Sequence, residues 1–332
     1  MMGMGRSSSS NDVTVREATD DDREAIITLC RSTLGWTDGA VDEAFFAWKH
    51  DENHFGASPS WVAVADDEIV GVRVFMRWRF RQFDGTTFEA VRAVDTATSP
   101  EWQGKGIFNR LTLGALPDLR RSGTDFVFNT PNDKSRPGYL KMGWSQVGRV
   151  PVSVRPTSPR SLQRLLGART AADRWSQPVD VGLDPAEAFA DDDVIDGLLA
   201  SLPSSPGLAT DRSVGYLRWR YQFDPLQYRV VPVGDRIADG FAVVRARRRG
   251  TALEATVCEL LVPSGRSTAS LWSALASGTG ADFMIRAGRG GVSDRFVPAP
   301  SIGPILTWKP LCRAGVPGMG DLTLSLGDVE LF

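Results

Sequence analysis

The chain has 332 residues, 42% of them hydrophobic, with 38 basic against 40 acidic side chains and a net charge of −2. That is long enough for two domains with their own cores, and it lacks the basic excess of a nucleic-acid or anionic-membrane binder. Cys30, Cys258 and Cys312 lie far apart and His50 and His54 are the only histidines, which argues against a disulfide framework and a metal site. No stretch approaches the roughly 20 apolar residues of a membrane span. Residues 1–12 are Ser/Gly-rich without an apolar signal core, so a disordered tail and a cytoplasmic location are expected.

In chain order, a strand is expected from Val13, then a helix over 20–34 that Thr19 or Asp20 caps and Gly35 stops. A second helix is placed at 38–50. Strands follow at 61–65 and 69–80, joined by the turn Asp66-Asp67-Glu68, and another at 88–98. Ile107, Leu111, Ala115 and Leu119 recur at helical spacing within 103–121, a helix that Pro117 is expected to kink or shorten. A strand at 125–129 and a short helix at 134–142 complete this half. Residues 151–213, rich in Pro, Ser, Asp and Arg, read as a linker with helix-like pieces at 161–166 and 194–202.

Beyond the linker the chain repeats itself. Trp48 and the run 61–71 have counterparts in Trp219 and 228–240, Glu89-Ala90 recurs as Glu254-Ala255, and Pro100 as Pro263. The second copy then reads Ser264-Gly265-Arg266-Ser267 before a helix at 270–276, with no Gly-x-Gly. Arg245, Arg247, Arg248 and Arg249 read as a solvated hairpin tip. Leu322, Leu324 and Leu326 alternate with Thr323 and Ser325, the pattern of a half-buried strand.

The segment that carries chemistry is Gln103-Gly104-Lys105-Gly106-Ile107-Phe108, between a strand and a helix. A glycine turn at a helix N-terminus offers free N–H groups and the positive end of the helix dipole to a phosphate. Glycine lets the backbone approach closely. A P-loop would need Ser or Thr after Gly-Lys, and a dinucleotide fingerprint would need G-x-G-x-x-G; neither is present. The run resembles the acyl-CoA loop of the GNAT superfamily of N-acetyltransferases, (Arg/Gln)-x-x-Gly-x-(Gly/Ala), with Phe108 departing at the last position. The alternative is a turn that merely connects strand to helix.

The resemblance implies an α/β fold with a mixed sheet, built as two GNAT-like halves in tandem. Residues 13–150 would hold acetyl-CoA, 151–213 would link, and 214–332 would be a degenerate second half with a C-terminal strand. It also implies that Asn132, with Ser135 beside it, meets the pantetheine arm, and that Tyr139 lies near the CoA sulfur. Asn132 as a turn residue and Tyr139 as a packed aromatic remain alternatives. Backbone N–H groups of Ala97 and Thr98 would form the oxyanion site. Asp95 is the nearest acid for a base, its pKa raised by burial, unless it caps a loop or pairs with Arg92. Tandem acetyltransferases of the enhanced-intracellular-survival type, which the paired halves resemble, use a C-terminal carboxylate as base, here that of Phe332. The expected activity is acetyl transfer from acetyl-CoA, without a metal, to the amine of a small molecule such as an amino sugar or cationic metabolite. A protein lysine or N-terminal acetyltransferase and an inactive acyl-CoA-binding module are the alternatives; the charge argues against an aminoacyl-tRNA-dependent ligase.

Overall fold

The computed structural model describes residues 13–36, 39–159, 161, 164, 168, 170–205, 207–291, 294–313 and 315–329. The expected tail at 1–12, most of the helix-like piece at 161–166, and Phe332 lie outside them.

The first half opens with β1 (Thr14–Glu17), α1 (Arg23–Leu34), α2 (Gly39–Phe46) and a π-helical turn, Ala47–Asp51. Gly35, left-handed at φ 70°, stops α1 as expected. The hairpin β2 (Ser60–Ala65) and β3 (Glu68–Arg81) turns at Asp66 and Asp67, both with positive φ, the geometry that matches strand twist. After β4 (Thr87–Thr98) come α3 (Ile107–Arg121), β5 (Phe126–Asn129), α4 (Arg136–Lys141) and β6 (Ser145–Arg149). Pro117, exposed on its outer side, does not shorten α3, which runs on to Arg121.

The segment expected as a linker holds β7 (Val152–Pro156), α5 (Pro185–Ala188), α6 (Asp192–Ser201) and β8 (Leu208–Thr210). Next come α7 (Val214–Tyr221), β9 (Arg229–Pro232), β10 (Phe241–Arg249), β11 (Ala252–Leu261), α8 (Ala269–Gly278), β12 (Phe283–Ala287), β13 (Val297–Pro298) and β14 (Ile305–Pro310). The last described elements are β15 (Leu322–Thr323) and α9 (Leu326–Val329).

Two mixed sheets result, β1-β2-β3-β4-β5-β14-β6 and β13-β7-β12-β11-β10-β9. β7, from the segment expected as a linker, joins the second sheet, and β14 of the second half joins the first. The boundaries at 150 and 214 are crossed in both directions, and β8 of the supposed linker pairs with β3. The C-terminal strand is also placed differently, since β15 pairs with β8 rather than with the second sheet.

The repeat is visible as a pseudo-twofold. Trp48 Nε1 donates to the Trp219 carbonyl (2.5 Å) and Trp219 Nε1 to that of Trp48 (2.7 Å). Asp125 accepts from Glu89 N (3.0 Å) and donates back from its own N (2.7 Å); Asp282 does the same with Leu253 (2.9 and 2.7 Å). Glu89 thus corresponds to Leu253, one residue off the Glu89-Ala90 and Glu254-Ala255 match read from the sequence. One apolar core lies between the halves, a second under α3 and a third under α8.

Candidate functional site

β4 and β5 run parallel, paired only from Ala90↔Phe126 to Arg92↔Phe128. β5 ends at Asn129 while β4 continues to Thr98, so the sheet opens into a notch. β4 bulges at Asp95, where the register with β3 jumps from Val74↔Val94 to Arg73↔Thr96 and φ is 38°. Beyond the bulge, Ser99 N donates to Val70 O on β3. Donors alternate sides along a strand, so Ala97 N also faces β3, and Thr96 and Thr98 N face the notch. Of the expected oxyanion pair, Thr98 N thus faces the notch and Ala97 N does not.

At the end of β4, Gln103 Nε2 donates to Thr98 O (3.2 Å) and ties the loop to the strand. Gly104 and Gly106 have φ of 75° and 80°, and a Cβ on either meets nothing within 4 Å. The helix bond from Arg110 N closes on Gly106 O (3.0 Å), so the N–H groups of Ile107, Phe108 and Asn109 head α3 without an intrahelical acceptor. This open cradle fits a pyrophosphate. The Lys105 ammonium sits 4.2 Å over the Trp102 ring.

Phe108, the departure from the motif, stands beside Gly138 of α4. A Cβ on Gly138 would come within 3.1 Å of the Phe108 ring, so the bulk added on one helix is removed from the other. Tyr139 is buried, edge-on to Phe108 and Trp144 at 5.3 and 5.4 Å, with the Arg73 guanidinium 5.4 Å from its ring. These contacts fix the orientation of the ring. Asn132 Oδ1 accepts from Lys134 N, Ser135 N and Ser135 Oγ, which makes it a turn residue whose carbonyl oxygen is engaged.

On the other face of the notch, Lys49 Nζ and His50 Nε2 both lie 2.7 Å from Asp95 Oδ2. The side chains are 4%, 2% and 8% exposed. The π-turn brings successive residues to one acid, a local widening that often marks functional positions. Burial alone would raise the Asp95 carboxyl, but the Lys49 ammonium and the His50 hydrogen bond outweigh it and hold the carboxyl well below its ordinary range. The expected raised pKa is therefore overturned, and an acid so engaged is a poor base. Burial pushes His50 down against the pull of Asp95. This favours the neutral imidazole, and its Nδ1 has no partner among the described residues. Arg92 does not pair with Asp95; its Nη2 donates to Thr130 Oγ1 (3.2 Å) and Val329 O (2.7 Å).

These shifts set an acid response. A His whose folded pKa is lowered costs stability as pH falls through its ordinary value of about 6.5. A carboxylate whose folded pKa is depressed gives stability above about pH 4 that is lost below it. Melting temperature should therefore drop between pH 7 and pH 5, and His50→Gln should flatten that part of the curve. An unchanged slope in the variant would assign the acid response to other groups.

Against the second sheet opens a cleft of about 320 Å³, lined by Arg247, Glu254, Thr256, Ile285, Leu326 and Val329 among others. Val329 borders both this cleft and the notch. Phe332, expected to supply a base, falls outside the described residues.

The cluster has a signature in the sequence. Lys49-His50 follows an aromatic run, and Arg73 and Arg92 interrupt apolar strands.

Residues 14–147 match the family model of the acetyltransferase (GNAT) domain. Among solved structures the chain is similar to a probable N-acyltransferase from Enterococcus faecalis (13% identity, TM-score 0.65), covering 90% of this chain and 73% of that one. It is also similar to a GCN5-related N-acetyltransferase from Anabaena variabilis (12%, TM-score 0.64), over 90% of this chain and 73% of that one. A third is Eis1 from Mycobacterium abscessus (14%, TM-score 0.57), covering 90% and 74%. At these identities the likeness is one of fold. No curated protein sequence matches the chain.

Proposed function

We propose, from the GNAT acetyltransferase domain that residues 14–147 carry, that this acetyltransferase moves an acetyl group from acetyl-CoA directly onto the amine of a small molecule. The observation that carries the reading is the conjunction of an open glycine cradle at the head of α3 with a notch in the sheet beside it. Gln103 to Phe108 would hold the pyrophosphate through backbone N–H groups, and Asn132 and Ser135 would border the pantetheine arm. Acetyl-CoA supplies the activated thioester. Thr96 and Thr98 N–H face the position where charge would develop on the acetyl oxygen, and fixed donors there favour the transition state. The acceptor would approach from the cleft that Val329 borders, whose size suits a small molecule.

Calorimetric titration with acetyl-CoA, followed by free-thiol release against a panel of amines, tests the reading. Binding with thiol release only when an amine is present is the expected result. Binding without release against every amine would favour the inactive module, and no binding would remove the cofactor.

Tyr139 is proposed to give a hydrogen bond or proton to the departing thiolate. Tyr139→Phe keeps the ring contacts, so folding and acetyl-CoA affinity should stay within a few-fold while turnover falls by up to about 10²-fold. Full turnover in the variant would leave the residue with packing alone.

A further inference from the structure

Left-handed backbone is disfavoured for a residue with a Cβ, yet Asp95 of β4 holds φ 38°. Its carboxylate is gripped by two partners, since Lys49 Nζ and His50 Nε2 each lie 2.7 Å from the one oxygen, Oδ2. The π-turn that carries both partners is itself fastened. Glu52 N closes it on Ala47 O (2.9 Å), and Ser58 N donates to His50 O (2.8 Å). Asn53 Nδ2 donates to Arg77 O of β3 (3.2 Å), and the Trp48–Trp219 pair ties the turn to the second half. Asp95 is thus held from a fixed post. Stability alone does not call for this cluster, because apolar side chains fill a core at least as well as buried ions. The His50 ring also leaves Nδ1 buried with no partner among the described residues, a cost that asks for an explanation.

What the grip secures is the direction of the β4 donors. They alternate sides along the strand, and one inserted residue exchanges the sides. Glu89 N faces Asp125 on the β5 side. Counted on from there without the bulge, Asp95 and Ala97 N would face the notch, and Thr96 and Thr98 N would be spent on β3.

The second half carries the same device in an unstrained form. β11 bulges at Cys258, where Val244↔Val257 gives way to Val243↔Glu259. Glu259 is gripped from the helix Val214–Tyr221 by Tyr221 Oη (2.9 Å). Positive φ, however, occurs at Asp95 and at neither Cys258 nor Glu259. The strained version belongs to the half that has the glycine cradle. Strain of this kind persists only where the surroundings over-determine it, and it gathers at working sites.

We propose that Lys49 and His50 are positioning residues for acyl transfer: they hold Asp95 in the bulge, and the bulge aims the Thr96 and Thr98 N–H groups at the acetyl carbonyl. The proposal rests on the reading that acetyl transfer occurs in the notch. Neither side chain touches the reacting atoms; both act through the backbone of β4.

The infrared carbonyl stretch of acetyl-CoA, isotope-labelled at the acetyl carbonyl, reports these donors directly, because hydrogen bonds to the oxygen lower its frequency. In the wild-type protein the bound stretch should lie below that of the free thioester. His50→Leu should return it towards the free value. Turnover, with whichever amine of the panel releases thiol, should fall at least tenfold, and acetyl-CoA affinity should stay within threefold because the glycine loop is untouched. His50→Gln sets an amide N–H where the imidazole Nε2 stands, and it should recover most of the frequency shift and of the turnover. Lys49→Met removes the other partner and should give the same split as His50→Leu; should His50→Leu fail to fold, Lys49→Met decides. A full carbonyl shift in either folded variant would overturn the proposal. So would equal losses in His50→Leu and His50→Gln, which would leave the imidazole with packing alone. A wild-type protein that binds acetyl-CoA without lowering the stretch would instead overturn the reading that the acetyl group lies in the notch.

Discussion

Asp95→Asn is expected to lower the unfolding free energy by about 3–5 kcal/mol, the usual cost of removing one partner from a buried ion pair. The substitution isolates charge from shape. Asn is nearly isosteric with Asp and tolerates the positive φ of 38° at this bulge at least as well. What is lost is the counter-charge to Lys49, whose ammonium is held 2.7 Å away and 4% exposed. Urea unfolding at neutral pH measures it, as a lower midpoint at constant slope. Combining Asp95→Asn with Lys49→Met should return a large part of the stability, because the unpaired cation then leaves with its partner. A single-variant loss below about 1 kcal/mol would mean that the cluster is solvated and that Asp95 is free for other chemistry.

Gly106→Val should weaken acetyl-CoA binding at least tenfold, or about 1.4 kcal/mol, in a protein that still folds. The branched side chain would project into the open space before α3, where a Cβ meets no protein atom. It would hold the backbone away from the pyrophosphate. Left-handed backbone costs an L-residue about 1–2 kcal/mol, so a control must carry the same strain elsewhere. Gly85, at φ 85° in the β3–β4 turn and equally open, supplies it. Gly85→Val should lose similar stability and keep full acetyl-CoA affinity. Equal affinities in the two variants would take the loop out of the cofactor site.

Some of this protein was legible in its residues because the causes are local. Gly35 stops a helix, Asp66-Asp67 makes a turn, and Gly104 and Gly106 open a loop at a helix head, all through backbone preferences that neighbours do not need to supply. The repeat around Trp48 and Trp219 was also legible, since a shared pattern survives in order along the chain. Its register near Glu89 was not, because only the reciprocal bonds of Asp125 and Asp282 fix which residues correspond.

The rest was decided by tertiary structure. β7 and β14 carry alternation that suits either sheet, and exchanging them leaves every local signal unchanged, so no sequence pattern could place them in the opposite half. Ala97 and Thr96 look alike as donors until the bulge at Asp95 sets which faces the notch. The sign of the Asp95 shift depended on two residues more than forty positions away, because burial and ion pairing oppose each other and only the distances say which prevails. The reach of Val329 to Arg92 likewise joins residues 237 positions apart. Backbone propensity acts within a few residues and is written in the sequence; charge pairing and strand exchange act across the fold and are settled only when the chain has closed on itself.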